Sequence, residues 1–175
     1  MRPGVGAPKR AEHDSTSFDG DSMTALPVAG IARFEHFFRE TDSLVIDKSD
    51  LKRLGSFIDR KLRDLVLRAG AIAKANGREI VEPHDLPITK GFQERIHEFR
   101  AVSNAGAVKE SLASLTSGPA SMAACSDDTE AWLPEVAGGL CLTLSRTFKI
   151  IVDPRLKNPQ TEHWDRAERL HDLLL

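Results

Sequence analysis

Two pairs of residues in this sequence have the Glu-x-x-His spacing with which helical bundles hold metal ions. They are Glu94 with His97 and Glu168 with His171. Four-helix carboxylate centres combine two such pairs with two further glutamates that point into the bundle. At about 100° per residue, Glu94 and His97 fall opposite the apolar face of their segment, and the two long apolar segments offer no inward carboxylate. We therefore expect no metal site.

Other residues that often carry chemistry also lack the pattern of a catalytic site. The sequence contains no phosphate-loop, dinucleotide-binding, nucleophile-elbow or zinc-protease motif. Gly138-Gly139 follows no strand, which favours close helix packing over phosphate contact. Cys125 and Cys141 form no CxxC pair and are expected to be reduced, buried thiols. We predict no enzymatic activity, no cofactor and no small-molecule substrate.

Length and charge fit one ordinary globular unit, or two very small units with a common core. The chain has 175 residues, of which 41% are hydrophobic, with 24 Lys and Arg against 26 Asp and Glu. This balance argues against a protein that binds nucleic acid with its whole surface, but it is compatible with a local basic patch. Because the N-terminus has no apolar core of a signal peptide and no apolar run is uninterrupted, we expect a cytoplasmic protein without a membrane segment.

Apolar periodicity predicts a short, a long and a short helix in the first half of the chain. The first helix is marked by apolar residues from Ile31 to Phe38 and is expected to end before Thr41. Asp47 and Ser49 both offer N-cap oxygens for a helix of about 28 residues, from about Lys48 to Ala75, which ends at the helix-stopping Gly77. A short extended link follows, then a turn at Pro83 and a third helix capped by Thr89. The long helix must be the central strut, because about 42 Å of helix cannot fold back on itself.

The same order of helices recurs more weakly in the second half. A short helix is predicted over residues 108–115, and residues 116–126 are predicted to be a loop. Pro134 marks the expected start of the second long helix, and the last helix begins at about Thr161. This repeat indicates two structural units of about 70 residues. We divide the chain into a disordered arm (1–30, with Met23 as a candidate true start), a first unit (31–102) and a second, divergent unit (103–175).

One stretch of the first unit resembles archaeal histones, namely Asn76-Gly77-Arg78-Glu79-Ile80-Val81-Glu82-Pro83-His84-Asp85-Leu86. In those proteins a loop arginine pairs with an aspartate seven residues later, so the resemblance implies a structural latch between Arg78 and Asp85. Residues 31–175 as a whole resemble a small bacterial family of uncharacterised proteins with two tandem histone folds. The resemblance implies an all-α fold, in which two short–long–short histone folds of one chain pack as an intramolecular pseudodimer.

Departures from the histone pattern leave two functions open. Archaeal histones bind DNA with an arginine in the first loop, where this chain has Leu44-Val45-Ile46, and with a lysine where it has Glu79. Our working hypothesis is a nucleoid-associated, architectural protein that binds the backbone of double-stranded DNA without sequence preference. The alternative is a histone-fold module for protein interaction or self-association that no longer binds DNA. Residues 31–102 carry 14 basic and 12 acidic residues, and residues 103–175 carry seven and ten.

If DNA binds, the candidate contacts are cations of the first long helix. At about 100° per residue they fall within one arc opposite the apolar stripe, with Asp59 and Asp64 beside them. A duplex lying across this arc would be held weakly and without sequence preference. The alternative is an ordinary solvated helix face of mixed charge. The five cations are Lys52, Arg53, Arg60, Arg63 and Lys74.

Overall fold

The structure, a computed structural model, describes residues 28–174, and this part of the chain is helical. It contains no strand, only one isolated parallel bridge between Val81 and Cys125. The predicted all-α class is confirmed. Of the predicted arm, residues 1–27 lie outside the described residues, whereas residues 28–30 belong to the first helix. The elements are α1 (Val28–Asp42), α2 (Lys48–Ala75), a 3-10 turn (Pro83–Asp85), α3 (Lys90–Ala101), α4 (Ala105–Ala120), α5 (Asp127–Ile151) and α6 (Thr161–Leu174).

The two ends of α2 are set by the capping residues that the sequence predicted. The Asp47 carboxylate accepts hydrogen bonds from the backbone N–H groups two and three residues later, at 2.7 and 2.9 Å. At the other end Gly77 has a φ of 71°, a left-handed conformation that suits glycine. The N–H of Arg78 then donates to the carbonyl of Ala73 at 2.9 Å, which closes a Schellman motif. The prediction for α2 is confirmed at both ends.

Two predictions for the second half are wrong. Residues 116–120 are the last turn of α4, because Pro119 and Ala120 are buried and their packing outweighs the helix-breaking tendency of proline. Likewise α5 begins at Asp127 and not at Pro134, which is buried inside the helix. The cap is Ser126, whose hydroxyl accepts a hydrogen bond from the N–H of Thr129 at 3.3 Å.

Helix α5 is the centre of the molecule and contacts all five other helices. One hydrophobic core joins both halves, and it includes Leu62 of α2 and Leu140 of α5. Helix α3 crosses α5 at two glycines, where a Cβ added to Gly138 would lie 2.4 Å from the ring of Phe99. A Cβ on Gly139 would lie 2.6 Å from Cγ1 of Ile96 in the same way. The expected role of the glycine pair in close helix packing is confirmed.

The links between helices pair with one another across the two halves. At one end of α2, residues 43–47 meet residues 153–160, and Val45 N–H donates to the carbonyl of Lys157 at 2.6 Å. We call this the Lys157 loop pair. At the other end, residues 78–86 meet residues 121–126, and Val81 N–H donates to the carbonyl of Ala124 at 2.7 Å. We call this the Val81 loop pair. About 40 Å of helix separates the two.

Candidate functional site

Arg78 and Asp85, the residues assigned to the latch, meet in the Val81 loop pair. The guanidinium donates from Nη1 to Oδ2 at 2.6 Å and from Nη2 to Oδ1 at 2.5 Å. The Glu82 N–H also donates to this buried carboxylate at 2.9 Å. The hydrogen bonds from Arg78 are the main reason that the pKa of Asp85 is lowered to about 2, against the opposing effect of desolvation. The pair holds the link against the end of α2.

Two of the five cations predicted to contact DNA are covered by acidic residues of α6. Arg53 donates from Nε to Glu168 at 2.5 Å and pairs with Asp165 through its Nη2. Arg60 donates to the second oxygen of Glu168 at 3.0 Å and lies 3.8 Å from Asp172. Their positive charge is therefore balanced inside the molecule. Asp165, which belongs to the second half of the chain, thus pairs with an arginine of the first half.

The other three predicted cations share no common partner. Arg63 donates to Asp59 at 2.8 Å, four residues earlier on α2, and its Nη1 lies 3.2 Å from the sulfur of Met122. Lys52 is exposed, and Lys74 is exposed at the far end of the helix. The five side chains therefore do not form one open basic face. The sequence could not show this, because helical periodicity does not tell which neighbouring helix covers α2.

Neither Glu-x-x-His pair is arranged as a metal centre. Glu94 and His97 are exposed on α3. Glu168 is used by the two arginines of α2, and His171 is buried with its Nδ1 2.8 Å from the carbonyl of Ala167. Burial lowers the pKa of His171, which favours the neutral ring. Within residues 28–174, no group of three or more His, Cys, Asp or Glu side chains is placed to hold a metal ion.

The two cysteines are both in the described part of the chain and form no disulfide. Cys141 is buried, as predicted, and desolvation raises the pKa of its thiol. Cys125 is only half-buried, so the prediction of a buried thiol is wrong for this residue, which lies in the link before α5; desolvation still raises the pKa of its thiol. Neither thiol has the lowered pKa of a nucleophile. Over the same described residues, no helix is long and apolar enough to cross a bilayer.

A basic cleft of about 620 Å³ opens at the Lys157 loop pair. It forms where the C-terminal turn of α5 and the following link meet the end of α1. The pairing of the two links brings these segments together, since Val45 is bonded to Lys157. Four of the seven lining residues are cations and one is a carboxylate, which makes the cleft a candidate site for anions. The lining residues are Asp42, Ser43, Arg146, Lys149, Pro154, Arg155 and Lys157.

Three of the four cations in the cleft form no ion pair within the described residues. Only Arg146 is neutralised, because its Nη2 donates to Glu98 at 2.6 Å and its Nε lies at ion-pair distance, 3.2 Å, from Asp42. Lys149 donates to the carbonyl of Leu156, which carries no net charge. Arg155 and Lys157 are exposed, and neither forms an ion pair within the described residues, although the Asp153 carboxylate accepts a hydrogen bond from the backbone N–H of Arg155 at 2.6 Å. An oxyanion could therefore be bound here without displacing an internal ion pair.

Comparison with known proteins places the chain in a family. The model of a family described as a domain of unknown function, DUF1931, matches residues 34–172. The chain belongs to the DUF1931 family. The curated proteins give no match.

Two solved structures are similar to this DUF1931 chain. The Thermus thermophilus protein ttk003001566 is 41% identical, with a TM-score of 0.71 over 83% of this chain and 97% of that one. Protein AQ328 from Aquifex aeolicus is 20% identical, with a TM-score of 0.70 over 83% of this chain and 95% of that one. At the lower identity the likeness is one of fold alone.

The basic cleft of this DUF1931 chain was missed at the level of sequence. Residues 146–157 contain four cations and a single acidic residue, Asp153, which is the pattern that could have identified it. The cations lie partly on α5 and partly on the link after it, so helical periodicity did not group them. Only the pairing of distant links shows that they line one cleft together with Asp42.

Proposed function

We propose that this chain is a histone-like pseudodimer that binds the phosphate backbone of double-stranded DNA at the Lys157 loop pair. The histone-like part is supported by the short–long–short order that occurs twice and by the reciprocal pairing of links at both ends of α2. The bidentate pair of Arg78 with Asp85 agrees with the latch that the resemblance implies. Such a function implies association with the chromosome.

The basic cleft is the observation that carries DNA binding. Lys149, Arg155 and Lys157 line it and form no ion pair within the described residues, at a loop pair where both halves of the chain contribute. Cations that contact phosphates give binding without sequence preference, weakened by salt through release of counterions. For three contacts we expect a log–log salt dependence of about −3 and a Kd in the micromolar range or weaker.

The face of α2 is a poorer DNA site than the cleft. For phosphates to reach Arg53 and Arg60, the carboxylates of α6 would have to be displaced first. That exchange gives no net gain in ion pairs, and it would loosen the packing of α6. We therefore move the proposed contact from the five α2 cations to the cleft at the start of that helix.

A gel-shift experiment with matched charge reversals tests this proposal. The first variant changes Arg155 and Lys157 to Glu, which inverts the charge of the cleft. The control changes Arg166 and Arg169 to Glu; both are exposed on α6 and neither lines the cleft. On a nonspecific duplex at low salt, we expect the wild type and the control to shift the DNA and the cleft variant to lose the shift. Circular dichroism checks that all three are folded.

A protein-interaction module is the second candidate function. It is favoured by the internal ion pairs of Arg53 and Arg60, which leave these two arginines without free charge for DNA. The Val81 loop pair is also unsuited to phosphates, because it is followed by Asp127, Asp128 and Glu130 in the first turn of α5. Absence of any wild-type gel shift at low salt would exclude the DNA proposal and support this alternative.

A further inference from the structure

The last helix, α6, presents an acidic stripe to the cations of α2. Asp165, Glu168 and Asp172 are three and four residues apart, so they lie along one side of the helix. All three form ion pairs with cations of α2. The two cations of α6 itself, Arg166 and Arg169, are exposed. Helix α6 therefore separates its charges, and its negative side is the one that meets α2.

Four ion pairs join the acidic stripe to two arginines of α2. Glu168 lies between them, with Oε1 2.5 Å from Nε of Arg53 and Oε2 3.0 Å from Nη2 of Arg60. Asp165 pairs with the first arginine, and Asp172 lies 3.8 Å from the second. Each arginine thus receives oxygens from two carboxylates, and anionic oxygens are also what a phosphate backbone offers to arginine.

Apolar contacts hold α6 in place independently of these ion pairs. Trp164 and Ala167 are buried in the common core. The buried ring of His171 packs edge-on against Phe57, with 5.1 Å between the ring centroids. By contrast, two of the three carboxylates of the acidic stripe are more than half exposed, and exposed ion pairs contribute little to stability. Burial therefore accounts for the docking of α6 better than charge does.

The two covered arginines lie next to the basic cleft. Arg53 is in the second turn of α2, which begins at the Lys157 loop pair, and Arg60 is about 10 Å further along the helix. The link that carries Arg155 and Lys157 leads directly into α6. A duplex that leaves the cleft along α2 would therefore reach these arginines next, where the acidic stripe already lies.

We propose that α6 is an autoinhibitory strap. Its three carboxylates take the places that phosphates would occupy at Arg53 and Arg60, and they confine DNA to the basic cleft. This proposal rests on the proposed DNA binding, but it concerns a different set of residues. Because strap and duplex compete for the same two arginines, neutralising the strap adds two phosphate contacts and leaves the cleft unchanged.

Neutral variants of the full chain test this competition. The strap variant changes Asp165 and Asp172 to Asn and Glu168 to Gln, which keeps the shape of each side chain. We expect it to bind a nonspecific duplex at least about 10-fold more tightly than the wild type at low salt, with a log–log salt slope steeper by about two. Adding Arg53→Gln and Arg60→Gln should return both values to those of the wild type.

A control for net charge removes three acidic residues at the start of α5. Asp127→Asn, Asp128→Asn and Glu130→Gln change exposed residues that form no ion pair within the described residues. The control alters the net charge as much as the strap variant does, but it should leave the salt slope unchanged, since it uncovers no cation. Glu168→Gln alone should give an intermediate gain, and it replaces the strap variant if circular dichroism shows that the latter is unfolded.

The outcomes separate the strap from the cleft. If Arg155→Glu with Lys157→Glu abolishes the wild-type gel shift but the strap variant gains no more than the net-charge control, the strap is overturned and the cleft is not. If the wild type fails to shift DNA but the strap variant binds it through Arg53 and Arg60, the cleft is overturned and the strap is supported. A gain that survives the loss of both arginines overturns the strap, and so does an absence of binding by every variant.

Discussion

The N–H of Val45 donates to the carbonyl oxygen of Lys157 at 2.6 Å, so the link after α1 is bonded to the link after α5. At the other end of α2, Val81 and Ala124 make the corresponding contact at 2.7 Å. Both hydrogen bonds join one half of the chain to the other. If one half were expressed without the other, both of its links would lose these hydrogen bonds, and its long helix would lose most of the residues that bury it.

The first prediction is that neither half folds alone. Residues 28–102 and 103–174, expressed separately, should show little cooperative unfolding, because each exposes the core face that the other covers. Mixing the two should restore helical circular dichroism and one cooperative transition. A well-dispersed NMR spectrum from either half as a monomer would contradict the idea of a common core.

The second prediction concerns the coupling of Arg78 with Asp85. Arg78→Ala and Asp85→Ala should each lower the free energy of unfolding, and the double variant should lose clearly less than the sum, since both changes remove one ion pair. Arg33 and Glu110 provide a matched control, because this pair is exposed and 3.4 Å apart. Chemical denaturation should give nearly additive losses for the control pair. Additive losses for the latch as well would mean that its two charges are not coupled.

The third prediction is a pH dependence that belongs to Asp85. The pKa of this carboxyl is about 2 in the folded state, compared with about 3.9 in an unfolded chain. As the pH falls, the unfolded state takes up the proton first, so the contribution of Asp85 to stability is intact above about pH 4 and is lost between about pH 4 and 2. The stability difference between wild type and Asp85→Asn should therefore shrink over this range in urea titrations. A difference that stays constant from pH 5 to 2 would contradict the lowered pKa.

The fourth prediction concerns the crossing of α3 over α5. Gly138→Ala should destabilise the protein by about 1–3 kcal/mol, because the new methyl group would meet the ring of Phe99 at 2.4 Å. Gly106→Ala in α4 is the control, since a Cβ at Gly106 meets no heavy atom within 4 Å. The control should be neutral or stabilising by about 0.5–1 kcal/mol, as expected for alanine in place of glycine in a helix. Equal effects of the two changes in thermal unfolding would argue against a tight crossing.

Local rules predicted α2 and its surroundings well from sequence. The carboxylate of Asp47, the left-handed Gly77 and the pair of Arg78 with Asp85 each act on residues no more than seven positions away in sequence. The same kind of rule failed at Pro119 and Pro134, both of which lie inside helices. There the burial of the surrounding residues decides the structure, and burial depends on segments that are distant in sequence.

The candidate site was harder to predict because its charges are set by tertiary contacts. Periodicity placed Arg53 and Arg60 on one face of α2, which is correct, but the carboxylates that cover this face come from α6, more than 100 residues later. The cleft of Arg155 and Lys157 depends in the same way on the pairing of two distant links. The number of charges along the chain indicates neither the cover of Arg53 and Arg60 by α6 nor the pairing of these links.

Only three residues, Val102, Ser103 and Asn104, connect α3 to α4. So short a connector keeps each half at a very high effective concentration for the other, in the millimolar range expected for short linkers. Pairing of the halves is then a unimolecular event that does not weaken when the protein is dilute in the cell. The connector also fixes which half pairs with which. Separately encoded partners can exchange subunits in different combinations, whereas the two halves of this chain cannot.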